Sequence, residues 1–205
     1  MTFRVGHVHR MKELAAVRMT EKAVQVREHV QKEAEALKSQ PKAMFHTYTE
    51  IEDFVKYFLL PARRRPVLVI IGPSQMGKSM LAEDVLMRIG KILGLEKFIE
   101  VTVQDNGSLD MSGFDVGEHG GVLLDGVGDA QMIADNRETL QGRAKVDMGG
   151  KSATMMYAFP FTLCRRAVVA TMDNAANNLD YFNTHHWLSN RQNVIVLKLT
   201  SQAWV

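Results

Sequence analysis

The first part of the chain alternates apolar and charged positions at helical spacing. From Met11 to Leu37 an apolar residue recurs every three or four positions between charged residues, which is the pattern of a helix with one narrow apolar face. The pattern predicts one long helix or two, ended by the sequence SQPK. The apolar face then packs either on the body of the same chain or against neighbouring subunits of an oligomer.

A second helix is predicted to begin at Thr49 and to stop at Pro61. Thr49 and Glu52 have the spacing of a capping box, and apolar residues follow at helical intervals. The basic run ARRRP comes next and leads into a segment of different character. We therefore expect a helical segment over residues 1–62, which is a candidate for oligomerisation, and a second domain over residues 63–205.

From Pro66 onward, short apolar runs alternate with helical patterns. Strands are predicted at VLVII, KFIEVTV, VLLD, AVVAT and NVIVLKL, and helices from Lys78 to about Ile92 and over AQMIADNRETLQGR. A hairpin is predicted over KVDMGGKSAT, turning on Gly149 and Gly150. Short apolar strands separated by helices predict an α/β fold with a mainly parallel sheet covered by helices.

Length and composition limit the classes of protein to which the chain can belong. A chain of 205 residues is long enough for one domain with a helical appendage, and its net charge of +2 is too small to indicate nucleic-acid binding by itself. Cys164 is the only cysteine, which rules out an internal disulfide and favours a reducing compartment. No secretory signal and no membrane-spanning run is visible, so we expect a soluble, intracellular protein without membrane association.

The stretch GPSQMGKS, Gly72–Ser79, fits the motif G-x-x-x-x-G-K-[ST], with a predicted strand before it and a helix after it. Glycines let backbone N–H groups turn onto phosphate oxygens, and the helix N-terminus adds its dipole. Lys78 would reach the terminal phosphates and Ser79 would ligate Mg²⁺. This predicts an α/β P-loop NTPase with ATP and Mg²⁺ as cofactors. The predicted nucleotide-binding residues are Gly72, Pro73, Ser74, Gln75, Met76, Gly77, Lys78, Ser79 and Met80.

Hydrolysis requires an acid that organises the metal at the end of a neighbouring strand. Asp125 follows three apolar residues in GGVLLDGVGDA and is the predicted partner of Ser79 at the metal. The next residue is Gly126, where many such ATPases carry a second acid that orients the attacking water. Either Asp129 reaches the site in its place, or that role is lost.

Polar residues end the third apolar strand, in AVVATMDN. Thr171, Asp173 and Asn174 lie where this strand emerges beside the first two. We predict that Asn174 orients the attacking water, caps the following helix, or does both.

Together the P-loop, Asp125 and the AVVATMDN strand resemble the superfamily 3 helicase domain. The resemblance is strongest to the replication initiator proteins of geminivirus- and circovirus-type single-stranded DNA viruses, and covers roughly Pro66 to Leu199. It implies an AAA+-like ATPase that assembles into a homo-oligomeric ring and pulls single-stranded DNA or RNA through its centre.

The same resemblance assigns roles outside the phosphate site. Lys145 or Lys151 on the hairpin would touch the phosphate backbone, while Tyr157 or Phe159 would stack on a base or belong to the core. An arginine would complete the ATP site of the neighbouring subunit. Its candidates are Arg191, Arg165 and Arg166.

The sequence therefore predicts ATP binding and hydrolysis that drive translocation on nucleic acid or its unwinding. The alternative is a nucleotide-dependent binding or assembly module derived from such a helicase, which Gly126 and the lack of a nuclease segment favour. A small-molecule kinase is disfavoured, because no lid or basic acceptor cluster follows the P-loop.

Overall fold

The computed structural model describes residues 44–60, 65–101, 109–141, 146–152, 155–161, 163, 165–173 and 176–205. All of them belong to one compact unit, Met44–Val205. The helix predicted over Met11–Leu37 lies outside the described residues, as does most of the predicted segment 1–62. The domain division at residue 62 therefore stays a prediction.

A five-stranded, all-parallel sheet forms the centre of this unit. The described strands are β1 (Val67–Gly72), β2 (Lys97–Glu100), β3 (His119–Val127), β4 (Val146–Ser152), β5 (Met155–Phe161), β6 (Ala167–Asp173) and β7 (Val194–Lys198). The sheet has the order β2-β3-β6-β1-β7, and β4 and β5 form a separate antiparallel pair. The predicted α/β fold with a mainly parallel sheet is confirmed.

Helices cover both faces of the sheet. The described helices are α1 (Thr49–Leu59), α2 (Lys78–Leu93), α3 (Ala130–Asp135), α4 (Arg137–Leu140) and α5 (Ala176–Thr184). On one face, residues of α1 and α2 pack with Leu68 and Ile70 of β1. On the other face, Ile133 of α3 and Phe182 of α5 pack with Val69. Among the described helices, none has the length and apolar character needed to cross a membrane.

Two helix predictions are wrong in detail. Thr49 is the first residue of α1 instead of its cap, because Tyr48 occupies the N-cap position without a side-chain hydrogen bond to the helix. Glu52 does not complete a capping box, since its carboxylate accepts two hydrogen bonds from Arg88 of α2 at 2.6 and 2.9 Å. The helix predicted over residues 130–143 is two short helices, α3 and α4, with Asn136 between them.

The predicted hairpin exists, but it does not turn on its glycines. Gly149 pairs with Ala158 and Gly150 with Tyr157, so both glycines lie inside β4. Ser152 pairs with Met155, and the chain reverses between these two residues. Glycine permits a turn without requiring one, and here the longer ladder pairs more backbone groups.

Candidate nucleotide site

The loop that joins β1 to α2 has the backbone of an anion cradle. Gln75 and Gly77 have positive φ angles of 63° and 81°, which turn the chain sharply before the helix begins. Gly77 is the N-cap of α2, and no side chain of the described residues caps that helix end. The N–H groups of the first turn of α2 are therefore available to an anionic ligand.

Residues from the C-terminal part of the chain support this loop. The N–H group of Ala203 donates to the carbonyl oxygen of Met76 at 2.9 Å. A Cβ atom on Gly77 would lie 2.1 Å from Cζ3 of Trp204, so this position requires glycine for space as well as for its φ angle. Trp204 thus fixes one side of the loop, while Pro73, Ser74 and Gln75 are exposed to solvent.

Lys78 folds back over the loop. Its ammonium group donates to the carbonyl oxygens of Gly72 at 2.9 Å and Pro73 at 2.8 Å, and to Oδ1 of Asp173 at 2.9 Å. These contacts use all three of its donors. The side chain is only 11% exposed, whereas that of Asp173 is 79% exposed. The cation is therefore held at the mouth of the loop, between the P-loop backbone and the end of β6.

Asp125 meets Ser79 and Thr171 at the same edge of the sheet. Ser79 Oγ donates to Asp125 Oδ1 at 2.8 Å, and Thr171 Oγ1 donates to the same oxygen at 2.5 Å. Thr171 is buried and accepts a hydrogen bond from the N–H group of Gly126 at 2.9 Å. Hydroxyl and carboxylate oxygens are the ligands that Mg²⁺ takes in proteins, so Ser79 and Asp125 fit that ion.

Further carboxylates surround this pair. Glu83 lies one helical turn after Ser79 on α2, and burial raises the pKa of its carboxyl group, with smaller contributions from the negative charges of Glu100 and Asp125. Glu100 ends β2, the strand that pairs with β3. The charges of Glu100 and Asp125 thus act on Glu83, although the described residues hold no group of three acidic side chains close enough to bind one metal ion.

Of the two predicted water-positioning residues, one caps a helix and the other lies outside the described residues. Asp129 is the N-cap of α3, and its carboxylate accepts a hydrogen bond from the N–H group of Gln131 at 2.9 Å. Asn174 lies outside the described residues. Of the predicted nucleic-acid lysines, Lys145 also lies outside them, and Lys151 lies in β4 opposite Met156.

The arginine candidates lie at the opposite edge of the sheet. Arg165 and Arg166 come directly before β6, and Arg191 comes shortly before β7. A strand rises about 3.3 Å per residue, so the length of a strand places these arginines roughly 20 Å from the phosphate loop. Arg166 donates to the carbonyl oxygen of Val116, and Arg191 forms an ion pair with Asp53 of α1. None of the three can reach the phosphate site of its own chain.

Sequence reasoning missed two residues of the site and undervalued two others. Trp204 and Glu83 belong to no motif, and only the folded chain brings them to the P-loop and the acidic group. Thr171 and Asp173 were marked by position alone. The alternation of side chains along β6 could have identified them. Every second residue of a strand faces the same side, so Thr171 and Asp173 lie on the same face as Val169, which packs in one cluster with residues of α2.

The strand–loop–helix unit of Val67–Leu93, set in an all-parallel sheet with Asp125 beside it, defines the α/β fold of a P-loop NTPase. No match is found among protein-family models or curated proteins.

Three solved structures are similar to the chain at low sequence identity. NtrX from Brucella abortus in complex with ADP has a TM-score of 0.43 and 13% identity, covering 91% of this chain and 45% of that chain. NtrX in complex with ATP has a TM-score of 0.40 and 13% identity, with coverages of 90% and 45%. A possible uridine kinase from Bacillus stearothermophilus has a TM-score of 0.32 and 12% identity, with coverages of 73% and 78%. This chain spans less than half of the NtrX chains, and TM-scores this low assign it to no family or activity.

Proposed function

We propose that this chain binds ATP with Mg²⁺ and hydrolyses it. The observation that carries the proposal is the contact of Ser79 with Asp125 at 2.8 Å, directly beside a P-loop whose helix end has no side-chain cap. These two residues come from separate elements and meet where the metal of a P-loop nucleotide would lie. A phosphate cradle without such a pair would support binding alone.

Each group at the site has a separate role in this proposal. Backbone N–H groups of the loop and of the first turn of α2 bind the phosphates, and Lys78 exchanges a loop carbonyl or Asp173 for a phosphate oxygen. Ser79 and Asp125 hold Mg²⁺, which when bound neutralises charge on the phosphate oxygens. Thr171 keeps Asp125 oriented. Asn174 directly follows β6 and stays our proposed water-orienting amide, with Asp129 as its alternative.

We further propose that the energy of hydrolysis moves single-stranded nucleic acid through a ring of subunits. Two features support this proposal. The β4–β5 pair is separate from the central sheet and carries Lys151, so it can present a cation to a phosphate backbone. The arginine candidates lie far from the phosphate site of their own chain. If they contact a bound nucleotide, it is one bound to a neighbouring subunit.

An assembly module without turnover is the second candidate function. It is favoured by Gly126, which has no side chain and a φ angle of 66° at the position after the metal-binding acid. This candidate predicts tight nucleotide binding with no phosphate release under any condition.

Equilibrium binding of a fluorescent ATP analogue tests the nucleotide site. Lys78→Ala removes a charged hydrogen-bond donor to phosphate, worth roughly 1.5–3 kcal/mol, so we expect the affinity to fall about ten- to a hundredfold. Lys91→Ala is the matched control, because it removes the same charge at the far end of α2. Equal affinities in the two variants would rule out the assigned site.

Nucleic-acid stimulation tests the motor. We expect single-stranded DNA or RNA to accelerate ATP turnover, and charge reversal of Lys145 and Lys151 to remove the acceleration without changing nucleotide affinity. If stimulation survives the charge reversal, the hairpin is not the nucleic-acid contact. If neither polymer stimulates the wild-type chain, the motor proposal fails while the nucleotide site stands.

A further inference from the structure

A general base that takes the proton of the attacking water speeds hydrolysis, and the position after Asp125 does not supply one. Gly126 has no side chain, and the carboxylate of Asp129 serves as the cap of α3. An amide such as that of Asn174 can orient water but cannot accept its proton at neutral pH. A carboxylate from another element can fill this role.

Asp173 is a carboxylate that the sheet places directly beside the phosphate loop. It is the last residue of β6, and its register partner on β1 is Gly72, the first residue of the loop. Since β6 lies between β1 and β3, Asp173 ends the strand between the P-loop and the metal-binding acid. Its Oδ1 lies 2.9 Å from Nζ of Lys78, the group that would contact the terminal phosphate.

The direction and exposure of this side chain suit contact with water. Asp173 lies on the same face of β6 as Thr171, whose hydroxyl already donates to Asp125. Its side chain is 79% exposed, so the carboxylate borders the open space above the loop. Without nucleotide, the ion pair with Lys78 keeps both groups in place.

We propose that Asp173 accepts the proton of the attacking water, in the role that an acid at position 126 would otherwise fill. This inference rests on the proposed ATP hydrolysis and names a further catalytic residue for it. When ATP enters, Lys78 transfers from Asp173 to a phosphate oxygen. The freed carboxylate then accepts a hydrogen bond from a water molecule beside the γ-phosphate.

The reaction balances without any further reactant. The water oxygen forms a bond to the γ-phosphorus as the bond from that phosphorus to the β–γ bridging oxygen breaks, and the bonding electrons leave with ADP. One proton of the water passes to the Asp173 carboxylate and then to solvent. The products are ADP and inorganic phosphate, and Asp173 is regenerated as a carboxylate that can pair with Lys78 again.

The ion pair also predicts a separate effect on binding. Because Asp173 competes with phosphate for Lys78, its charge weakens the binding of ATP while speeding the cleavage of bound ATP. Asp173→Asn keeps the size and a hydrogen-bonding oxygen but removes the charge. We expect this variant to bind ATP as tightly as the wild-type chain or more tightly, and to cleave it about 10²- to 10⁴-fold more slowly, the usual contribution of a general base.

The experiment measures both quantities in the full chain: the dissociation constant for a fluorescent ATP analogue, and the single-turnover rate of cleavage of bound ATP. Asp180→Asn, an exposed aspartate on α5, is the matched control and should change neither quantity. Asp173→Glu should recover part of the rate, because it restores a carboxylate.

Each other outcome overturns the inference. A cleavage rate in Asp173→Asn within a few-fold of wild type would make Asp173 only a tether for Lys78. Parallel loss of affinity and rate would make it a structural support of the loop. If the wild-type chain binds ATP but never cleaves it, the proposed hydrolysis fails together with this role, whereas cleavage that ignores Asp173 rejects this role alone.

Discussion

At the scale of single residues, Thr171 shows how a buried hydroxyl sets up the chemistry of its neighbours. Its side chain donates to Asp125 at 2.5 Å and accepts from the N–H group of Gly126 at 2.9 Å, so it fixes both the carboxylate and the backbone after it. Groups that orient a metal ligand in this way are typically worth 10- to 100-fold in metal affinity or activity.

We predict that Thr171→Val raises the Mg²⁺ concentration needed for half-maximal ATP cleavage about 10- to 100-fold, because valine has the same shape without the hydroxyl. Titration of Mg²⁺ at saturating ATP measures this effect. Thr171→Ser keeps the hydroxyl and should stay near wild type. An unchanged Mg²⁺ dependence in the valine variant would mean that Thr171 does not position Asp125.

Gly126 differs from the usual acid in its backbone as well as in its side chain. Its φ angle of 66° lies in the left-handed region, although nothing lies within 4 Å of a Cβ atom built there. We predict that Gly126→Glu lowers the free energy of unfolding by roughly 1–2 kcal/mol and does not increase ATP turnover. Gly126→Ala carries the same strain without the charge and is the control. Faster turnover in the glutamate variant would show that the missing acid limits the proposed hydrolysis.

The residues that could be predicted from the sequence are those whose proposed role depends on neighbouring residues in the chain. Lys78 and Ser79 follow from the P-loop spacing, and Asp125 from its place after a buried strand. Trp204 lies far along the chain from the loop it supports, and no sequence pattern predicts this contact. Asp173 was marked only by its place at a strand end, since its ion pair with Lys78 depends on β6 lying next to β1.

At the scale of elements, α1 belongs to the core that carries the site. Phe54 is fully buried and packs in the same cluster as Leu81 and Leu86 of α2. Arg88 of α2 is also paired with Glu52 of α1, which lowers the pKa of that glutamate below its ordinary value. The helix α2, which follows the P-loop, is thus stabilised by packing against α1.

We predict that Phe54→Ala lowers the free energy of unfolding by about 3–5 kcal/mol, as expected for removing a buried aromatic side chain. Leu59→Ala on the same helix is the control, because that side chain is 63% exposed and its loss should cost less than about 0.5 kcal/mol. Denaturant unfolding of both variants measures the difference. Similar small losses would mean that α1 is not part of the folded core.

The elements differ in how far local sequence determines them. All residues of β1 are buried, as its prediction as a fully apolar strand implied. The helix expected over residues 130–143 is interrupted at Asn136, whose side-chain amide donates to the carbonyl oxygen of Met132 at 2.9 Å. The capping box at Thr49 failed because of a contact between two helices. The Glu52 carboxylate found Arg88, a partner outside its own helix, and local spacing cannot show such a partner.

At the scale of the whole molecule, the parallel sheet separates two edges with different chemistry. The carboxyl ends of β1, β3 and β6 gather Lys78, Asp125 and Asp173 at one edge. The arginine candidates lie at the other edge. If one of them completes a nucleotide site, it must do so in a neighbouring subunit.

If each site takes an arginine from a neighbouring subunit, as proposed, we predict that ATP turnover per chain rises with protein concentration and then levels off. Turnover measured over a dilution series, beside the oligomeric state at the same concentrations, tests this dependence. Turnover per chain that stays constant down to concentrations at which only monomers exist would contradict the shared site.

The measurement that tests the central claim most directly is phosphate release by the purified full chain at saturating ATP and Mg²⁺, compared with Lys78→Ala. From the proposed hydrolysis we predict steady release by the wild-type chain and its loss in the variant, since Lys78 is the cation at the mouth of the loop. Equal release by both would show that hydrolysis comes from elsewhere. Tight ATP binding without release by the wild-type chain would contradict hydrolysis and support an assembly module.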